Sequence, residues 1–377
     1  MPVEPMLSKY LHSRGRKLGI PVSGTFELTP CCNFNCKMCY VHLSRQEQQA
    51  RGRELTAQEW ISLGRQACER GMVFLLLTGG EVLIRPDFPE IYQAVKKMGL
   101  ILTVNTNGYL LRGELLELFR QDPPSRVNVT LYGTSNETYE RLCGIGAYET
   151  VLENVKALRA SGIEVRLNMS VTGANRADME AVYAQAKALG AHVQATAYMF
   201  PPTRVTGQFG GGNRLSAGEA AACELAFLRM QLGEEGFHAY AEKLRDGVAA
   251  EPTEDCEGIP GPRMACRAGR TSFWIAWDGT LSPCGLLPKP SCSVLNNGFS
   301  AAWDAIRRET EEIRLPEACG TCTYRHVCHA CAAKCYCETG RFDGKPEYVC
   351  ELARCQTEQA ITCLAQEYGG NKNEDQA

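Results

Sequence analysis

Six times between residues 24 and 201 a short β-branched or apolar run gives way to a longer stretch of helical period. That alternation confines the chain to an α/β fold with a parallel sheet covered by helices. The predicted strands are 25–28, 73–78, 101–105, 126–132, 165–171 and 193–199. The first helix opens on Thr56 and Glu59 in capping-box spacing, sets Trp60, Leu63 and Ala67 on one face and stops at Gly71. Val151, Val155 and Leu158 repeat the pattern before Gly162, and Met179, Val182, Ala186 and Leu189 before Gly190. A further helix over 217–232 follows the sixth strand.

In parallel βα folds reactive groups gather where strands end and βα loops begin. Just after the first strand stand Cys32, Cys36 and Cys39, separated by three and two residues. Thiolates select zinc, copper(I) or iron-sulfur centres, and a structural zinc site would normally supply four ligands, so three leave a position open. Counting from Cys31 instead puts Asn35 and Met38 at the next ligand positions, so only the register from Cys32 works. Gly79, Gly80 and Glu81 end the second strand, and Thr106, Asn107 and Gly108 the third. Strand four alternates Val127, Val129 and Leu131 with Asn128, Thr130 and Tyr132; strand five alternates Leu167, Met169 and Val171 with Arg166, Asn168 and Ser170. A polar inward face would mean a cavity, but period two does not say which face points inward.

Past a Gly- and Pro-containing stretch at 252–262, cysteine density rises and helical period fades. The order is Cys266, Gly279, Cys284, then Cys319, Cys322 and Cys328, then Cys331 and Cys350. Short-spaced pairs of this kind suit either tetrahedral zinc or iron-sulfur clusters. Cys68, Cys143 and Cys223 sit in helical patterns as small apolar residues. Trp274, Trp277 and Trp303 are expected around the metal centres. Twenty cysteines would suggest disulfides in a secreted chain, but residues 1–20 are polar and basic without the apolar core of a signal peptide. Metal ligands in a soluble, cytoplasmic protein are the expectation. The longest apolar run, 72–77, is far too short to span a bilayer, and a net charge of -3 with scattered cations argues against nucleic-acid or membrane partners.

The cysteine triad resembles the signature of radical S-adenosyl-L-methionine (SAM) enzymes, in which three cysteines hold a four-iron four-sulfur (4Fe-4S) cluster and SAM chelates the remaining iron. Gly79, Gly80 and Glu81 resemble that family's glycine-glycine-glutamate element, whose backbone and carboxylate receive the amino group of the methionine moiety. Val82 stands where a proline is common. The resemblance implies a partial (β/α)6 TIM-like barrel, with Asn107, Thr130 and Asn168 also at the cofactor. The later cysteines resemble a SPASM domain with two auxiliary 4Fe-4S clusters. By family pattern, Cys319, Cys322, Cys328 and Cys350 hold one, and Cys266, Cys284 and Cys331 the other, with Cys335 or Cys337 as alternatives to Cys331. A fourth ligand for the latter is Cys256 or, less favourably, Cys292. The implied layout is an N-terminal segment 1–23, barrel 24–235, bridge 236–265, SPASM domain 266–355 and tail 356–377.

The resemblance further implies reductive SAM cleavage, hydrogen abstraction from a ribosomal peptide or protein side chain, and a flavodoxin- or ferredoxin-type reductant. The segment ahead of strand one is too short for a dedicated leader-binding domain. Sulfatase maturation is disfavoured, because Gly285 follows Cys284 where that branch carries a carboxylate. Competing readings are a small-molecule radical dehydrogenase or tailoring enzyme, an iron-sulfur electron carrier, and a zinc-binding module. No catalytic acid or base is assigned.

Overall fold

β-branched and apolar runs form strands where alternate side chains can pack on both faces of a sheet, and all six expected runs do so. The computed structural model describes residues 6–202, 204, 213–249, 261–328 and 331–370. In chain order these give α1 (Met6–Leu18), β1 (Ser23–Glu27), α2 (Arg45–Arg51), α3 (Ala57–Glu69), β2 (Phe74–Thr78), α4 (Phe88–Lys97) and β3 (Ile101–Thr106). Then follow α5 (Glu114–Gln121), β4 (Arg126–Thr130), α6 (Asn136–Cys143), α7 (Tyr148–Ala160), β5 (Val165–Ser170), α8 (Met179–Ala188), β6 (His192–Thr196) and α9 (Ala217–Ala249). The C-terminal part adds β7 (Ser272–Ile275), β8 (Thr280–Ser282), β9 (Cys292–Ser293), α10 (Val294–Glu311), α11 (Arg325–Cys328), α12 (Ala332–Thr339) and α13 (Glu347–Gly370).

The sheet order is β6-β5-β4-β3-β2-β1-β7-β8-β9. The first six strands are parallel and β6 does not pair with β1, so the barrel stays open. β7 continues the parallel pairing on the far side of β1, Thr25 opposite Trp274, before β8 and β9 turn antiparallel. One sheet therefore runs from the barrel into the cysteine-rich region.

The α3 N-terminus carries the expected reciprocal cap: Thr56 accepts from the Glu59 amide and Glu59 accepts from the Thr56 amide. Such a cap stabilises by about 1 kcal/mol. Trp60, Leu63 and Ala67 are buried against Phe26, Leu75 and Leu77 in the main core. Trp303 packs in that same core, 6.1 Å from Phe273, with its indole donating to the Gly19 carbonyl at 2.8 Å. Its expected place beside a metal centre is corrected: α10 is amphipathic, and its wide apolar face covers the sheet at β7.

α9 is broken at Gly233 (φ 70°), and beyond the break Phe237, Ala241 and Leu244 pack with Ala360 and Leu364 of α13. The C-terminal helix thus folds back across the open side of the barrel. Cys256 lies outside the described residues.

Candidate active site

The triad loop is fixed from both sides. At its start Arg85, buried, donates to the carbonyls of Leu28 (2.8 Å) and Leu55 (3.0 Å) and pairs with Asp87 and Glu54. Thr29 donates to Glu54 at 2.6 Å and accepts the Cys31 amide at 3.1 Å. At its middle the amides of Asn35 and Lys37 donate to the carbonyls of Cys143 and Leu142 at the end of α6, at 3.1 and 2.9 Å. These carbonyls are ones a helix leaves unpaired at its C-terminus.

The second loop is pressed against the first. Gly80 donates to the Thr29 carbonyl at 2.8 Å and Glu81 to the Cys31 carbonyl at 2.9 Å. A Cβ on Gly79 would lie 2.4 Å from the Thr29 oxygen, and one on Gly80 2.3 Å from the Cys31 oxygen. Both positions require glycine because two backbones meet there. The Glu81 carboxylate is completely buried and engaged by the Leu83 amide (3.0 Å), the Thr106 hydroxyl (2.9 Å) and the Asn107 amide (2.6 Å). What faces outward here is the Gly79–Gly80 backbone, while Glu81 braces it from behind. Burial, outweighing these hydrogen bonds, pushes its acid up to about 7.

These loops open onto a cavity of about 680 Å³ lined by Cys32, Cys36, Cys39, Gly79, Gly80 and Asn107. The polar residues of β3 to β5, Asn105, Asn128, Thr130, Asn168 and Ser170, line it too, so the polar face is the inner one. They are linked: Asn128 donates to Asn105 at 2.7 Å, and Asn105 to Thr78 at 3.4 Å. Asn107 Nδ2 donates to Asn33 at 2.8 Å and lies 3.7 Å from Cys32 Sγ. All expected cofactor residues except Glu81 therefore share one cavity with the triad.

The thiols fit an iron-sulfur occupant by donor chemistry. Burial pushes Cys32 up to about 12 and also raises Cys39, while hydrogen bonding to the Cys143 thiol and burial raise Cys36. Such thiols hold their protons until a metal displaces them. Among the described residues no three His, Cys, Asp or Glu side chains are grouped for a single metal ion. Tyr132 donates to the Cys36 sulfur and stabilises its thiolate. Its place on the polar face of strand four was the one signal of this role in the sequence. Cys143, buried as expected, also meets Cys36, which helical period alone does not reveal.

The opposite wall comes from elements distant in sequence: Tyr198 after β6, Glu224 and Tyr240 of α9, Cys328, Lys334 of α12, and Gln356 of α13. Apart from Cys328, which belongs to the later cysteine pattern, no motif marks them. Glu338 ties this wall together, accepting from Tyr198 at 2.7 Å and pairing with Arg214, whose guanidinium stacks 3.7 Å above Tyr348.

The later cysteines form two neighbourhoods. Cys328 feels Cys350, Cys319 and Cys322, and burial pushes it up to about 11. Cys284, likewise raised to about 11 by burial, feels Cys331 and Cys266. Cys337, pushed up to about 12 by burial, joins the latter, feeling Cys284 and Cys331, and its sulfur lies 3.7 Å from the Leu286 carbonyl. Cys335 is buried between the two neighbourhoods, feeling Cys319 and Cys331. Cys292 sits on β9, its sulfur accepting from Asn297. Every described cysteine is a free thiol.

Residues 26–186 match the model of the Radical SAM superfamily. The chain is similar to an AdoMet-dependent heme synthase of Methanosarcina barkeri, 27% identical over 84% of this chain and 93% of that protein. It is similar also to the sporulation killing factor maturation protein SkfB of Bacillus subtilis, 25% identical over 79% of this chain and 68% of that protein. Streptococcus suis SuiB bound to its precursor peptide SuiA shares the fold at a TM-score of 0.66, 18% identical, covering 91% of this chain and 80% of that one. A three-thiol loop braced against a glycine turn at the mouth of an open parallel barrel lies inside the span that the superfamily's own model matches: residues 26–186 of this chain form a radical SAM domain, and a cysteine-rich C-terminal region follows it.

Proposed function

We propose that this chain abstracts a hydrogen atom from a side chain of a ribosomal peptide or protein. The observation carrying the proposal is the cavity itself, with cofactor groups on the barrel wall and an independent wall from α9, α12 and α13 facing them. When bound, the cluster and SAM supply reductive cleavage to methionine and a 5′-deoxyadenosyl radical.

The chain's residues supply the rest. Cys32, Cys36 and Cys39 would hold the cluster, leaving one iron to SAM. The Gly79–Gly80 turn and Asn107 would set the methionine end, and the ladder of Asn105, Asn128, Thr130 and Asn168 would hydrogen-bond the nucleoside. Met199, Phe200, Val349 and Leu352 line the cavity and exclude water around the reacting atoms. Residues 24–235 would act as the catalytic barrel and 266–355 as the auxiliary-cluster domain. Cys319, Cys322, Cys328 and Cys350 would hold one auxiliary cluster. For the other, Cys337 is the fourth ligand we favour beside Cys266, Cys284 and Cys331, because it shares their neighbourhood.

SkfB is named as a maturation protein and SuiB was crystallised with its precursor peptide. The similarity to a heme synthase supports a second reading, a small-molecule substrate. The names of two similar proteins, a maturation protein and one crystallised with its precursor peptide, favour the first. Sulfatase maturation remains disfavoured, since a Cβ on Gly285 would lie 2.8 Å from the Trp274 ring, leaving no room for a carboxylate.

The test is anaerobic reconstitution followed by dithionite and SAM. 5′-Deoxyadenosine release is expected, together with a mass change in a peptide encoded beside this gene. Release with no change in any neighbouring peptide, alongside turnover of an iron porphyrin, would move the assignment to the second reading.

A further inference from the structure

The four most exposed large apolar side chains among the described residues, Met6 (88%), Leu7, Tyr10 and Leu18, all lie on α1. The same helix exposes Lys9, Arg14, Arg16 and Lys17 and has no acidic residue from 6 to 18. Single exposed apolar residues need no explanation, but a cluster rimmed by charge marks an interaction site. The helix cannot turn to bury it. His12 Nδ1 lies 2.8 Å from Thr271 Oγ1, and Gly15 is so close to the body that a Cβ would come within 2.4 Å of Val22.

A second observation says what the face is near. α1 borders a cavity of about 540 Å³ shared by Arg16, Lys17, Cys266 and Arg267. Among the described cysteines Cys266 alone is exposed. The surface around that sulfur is basic although the whole chain is slightly acidic, at -3. A two-fold contact between copies would set Lys9, Arg14 and Lys17 against themselves, so like-charge repulsion opposes a dimer here.

We propose that α1 and the adjoining loop 265–271 dock a small acidic electron-carrier protein beside Cys266. Carriers bind transiently through small surfaces and are steered by opposite charge, and a basic, partly apolar face over a redox-active ligand is the complement of an acidic one. The inference rests on the reading of Cys266 as an iron ligand.

The experiment measures the affinity of the reconstituted holoprotein for an acidic flavodoxin at low and near-physiological salt. Wild-type binding should weaken steeply with salt, and Lys9→Glu/Arg14→Glu/Lys17→Glu should lower affinity by about tenfold or more while helicity and iron content stay unchanged. Met6→Ser/Tyr10→Ser should weaken it at both salt concentrations. Unchanged affinity in the charge variant, no flavodoxin binding by wild type, or tighter binding to phosphatidylglycerol vesicles than to flavodoxin would overturn the proposal. Cys266→Ala reports on the underlying reading separately: full iron and sulfide there would remove Cys266 as a ligand, whatever the docking affinity.

Discussion

The Glu81 carboxylate accepts the Asn107 amide at 2.6 Å from a site with no solvent exposure. The loops that end β2 and β3 are thereby one unit, with Thr106 as a second tie at 2.9 Å. A buried carboxyl in this position carries a pH signature. Its acid is raised to about 7 because burial penalises the charge more than three donors favour it.

The sign of that signature follows from linkage. The folded state holds the Glu81 proton more tightly than the unfolded chain, whose glutamates titrate near ~4.3, so this stabilisation is complete below that pH and is lost as pH rises through about 7. Between pH 5 and 8 wild type should lose on the order of 2–3 kcal/mol relative to Glu81→Gln. Urea denaturation of both proteins across that range measures it, and parallel curves would show that Glu81 does not titrate there.

Gly80→Ala tests the contact between the glycine turn and the triad loop. Its Cβ would lie 2.3 Å from the Cys31 carbonyl oxygen, and neither backbone can move without shifting Cys32. We expect a cost of about 1–3 kcal/mol and a loss of SAM cleavage with auxiliary iron retained. Gly218→Ala, where the nearest atoms are 4.0 Å away, is the matched control and should be neutral. Equal cleavage rates in the two variants would count against the turn as part of the site.

Much of this arrangement was legible because its signals are local. Period and caps mark the six βα units, and the triad announces itself by spacing within eight residues. What was not legible depends on tertiary placement. Alternation in β4 and β5 leaves the inner face undetermined until the helices cover the other one. The burial of Glu81 depends on Thr106 and Asn107, some 25 residues away. Lys334, Gln356 and Glu224 face the cavity only because α13 returns along α9. The sequence offered Cys337 only in place of Cys331; that it stands beside Cys284 and Cys331 together depends on the packing of α12 against the loop at Leu286.

The division of the cysteines is open to a crossed experiment. Cys36→Ala should abolish SAM cleavage while leaving roughly two clusters' worth of iron, whereas Cys322→Ala should lose auxiliary iron and keep uncoupled cleavage. Iron and sulfide analysis with quantified 5′-deoxyadenosine separates them. Full cleavage by the first variant would reject the triad as the SAM site.

A buried ion pair joins the barrel to the region beyond it. Glu27, 1% exposed at the end of β1, is paired with Arg204 in the segment after β6 and accepts the Trp274 indole of β7 at 2.9 Å. Three separate stretches of chain therefore meet on one carboxylate. Removing only the cation, in Arg204→Met, leaves a charge desolvated with a single neutral donor, and such losses cost about 3–5 kcal/mol. Removing both charges, in Glu27→Gln/Arg204→Met, should recover most of that, because the introduced amide keeps an oxygen for Trp274 and no longer needs a counter-ion. The double-mutant cycle, read by urea denaturation, gives the coupling directly. If the double variant is as unstable as the single one, Arg204 acts through packing rather than charge, and the pair is not what holds the β6–α9 connection against β1 and β7.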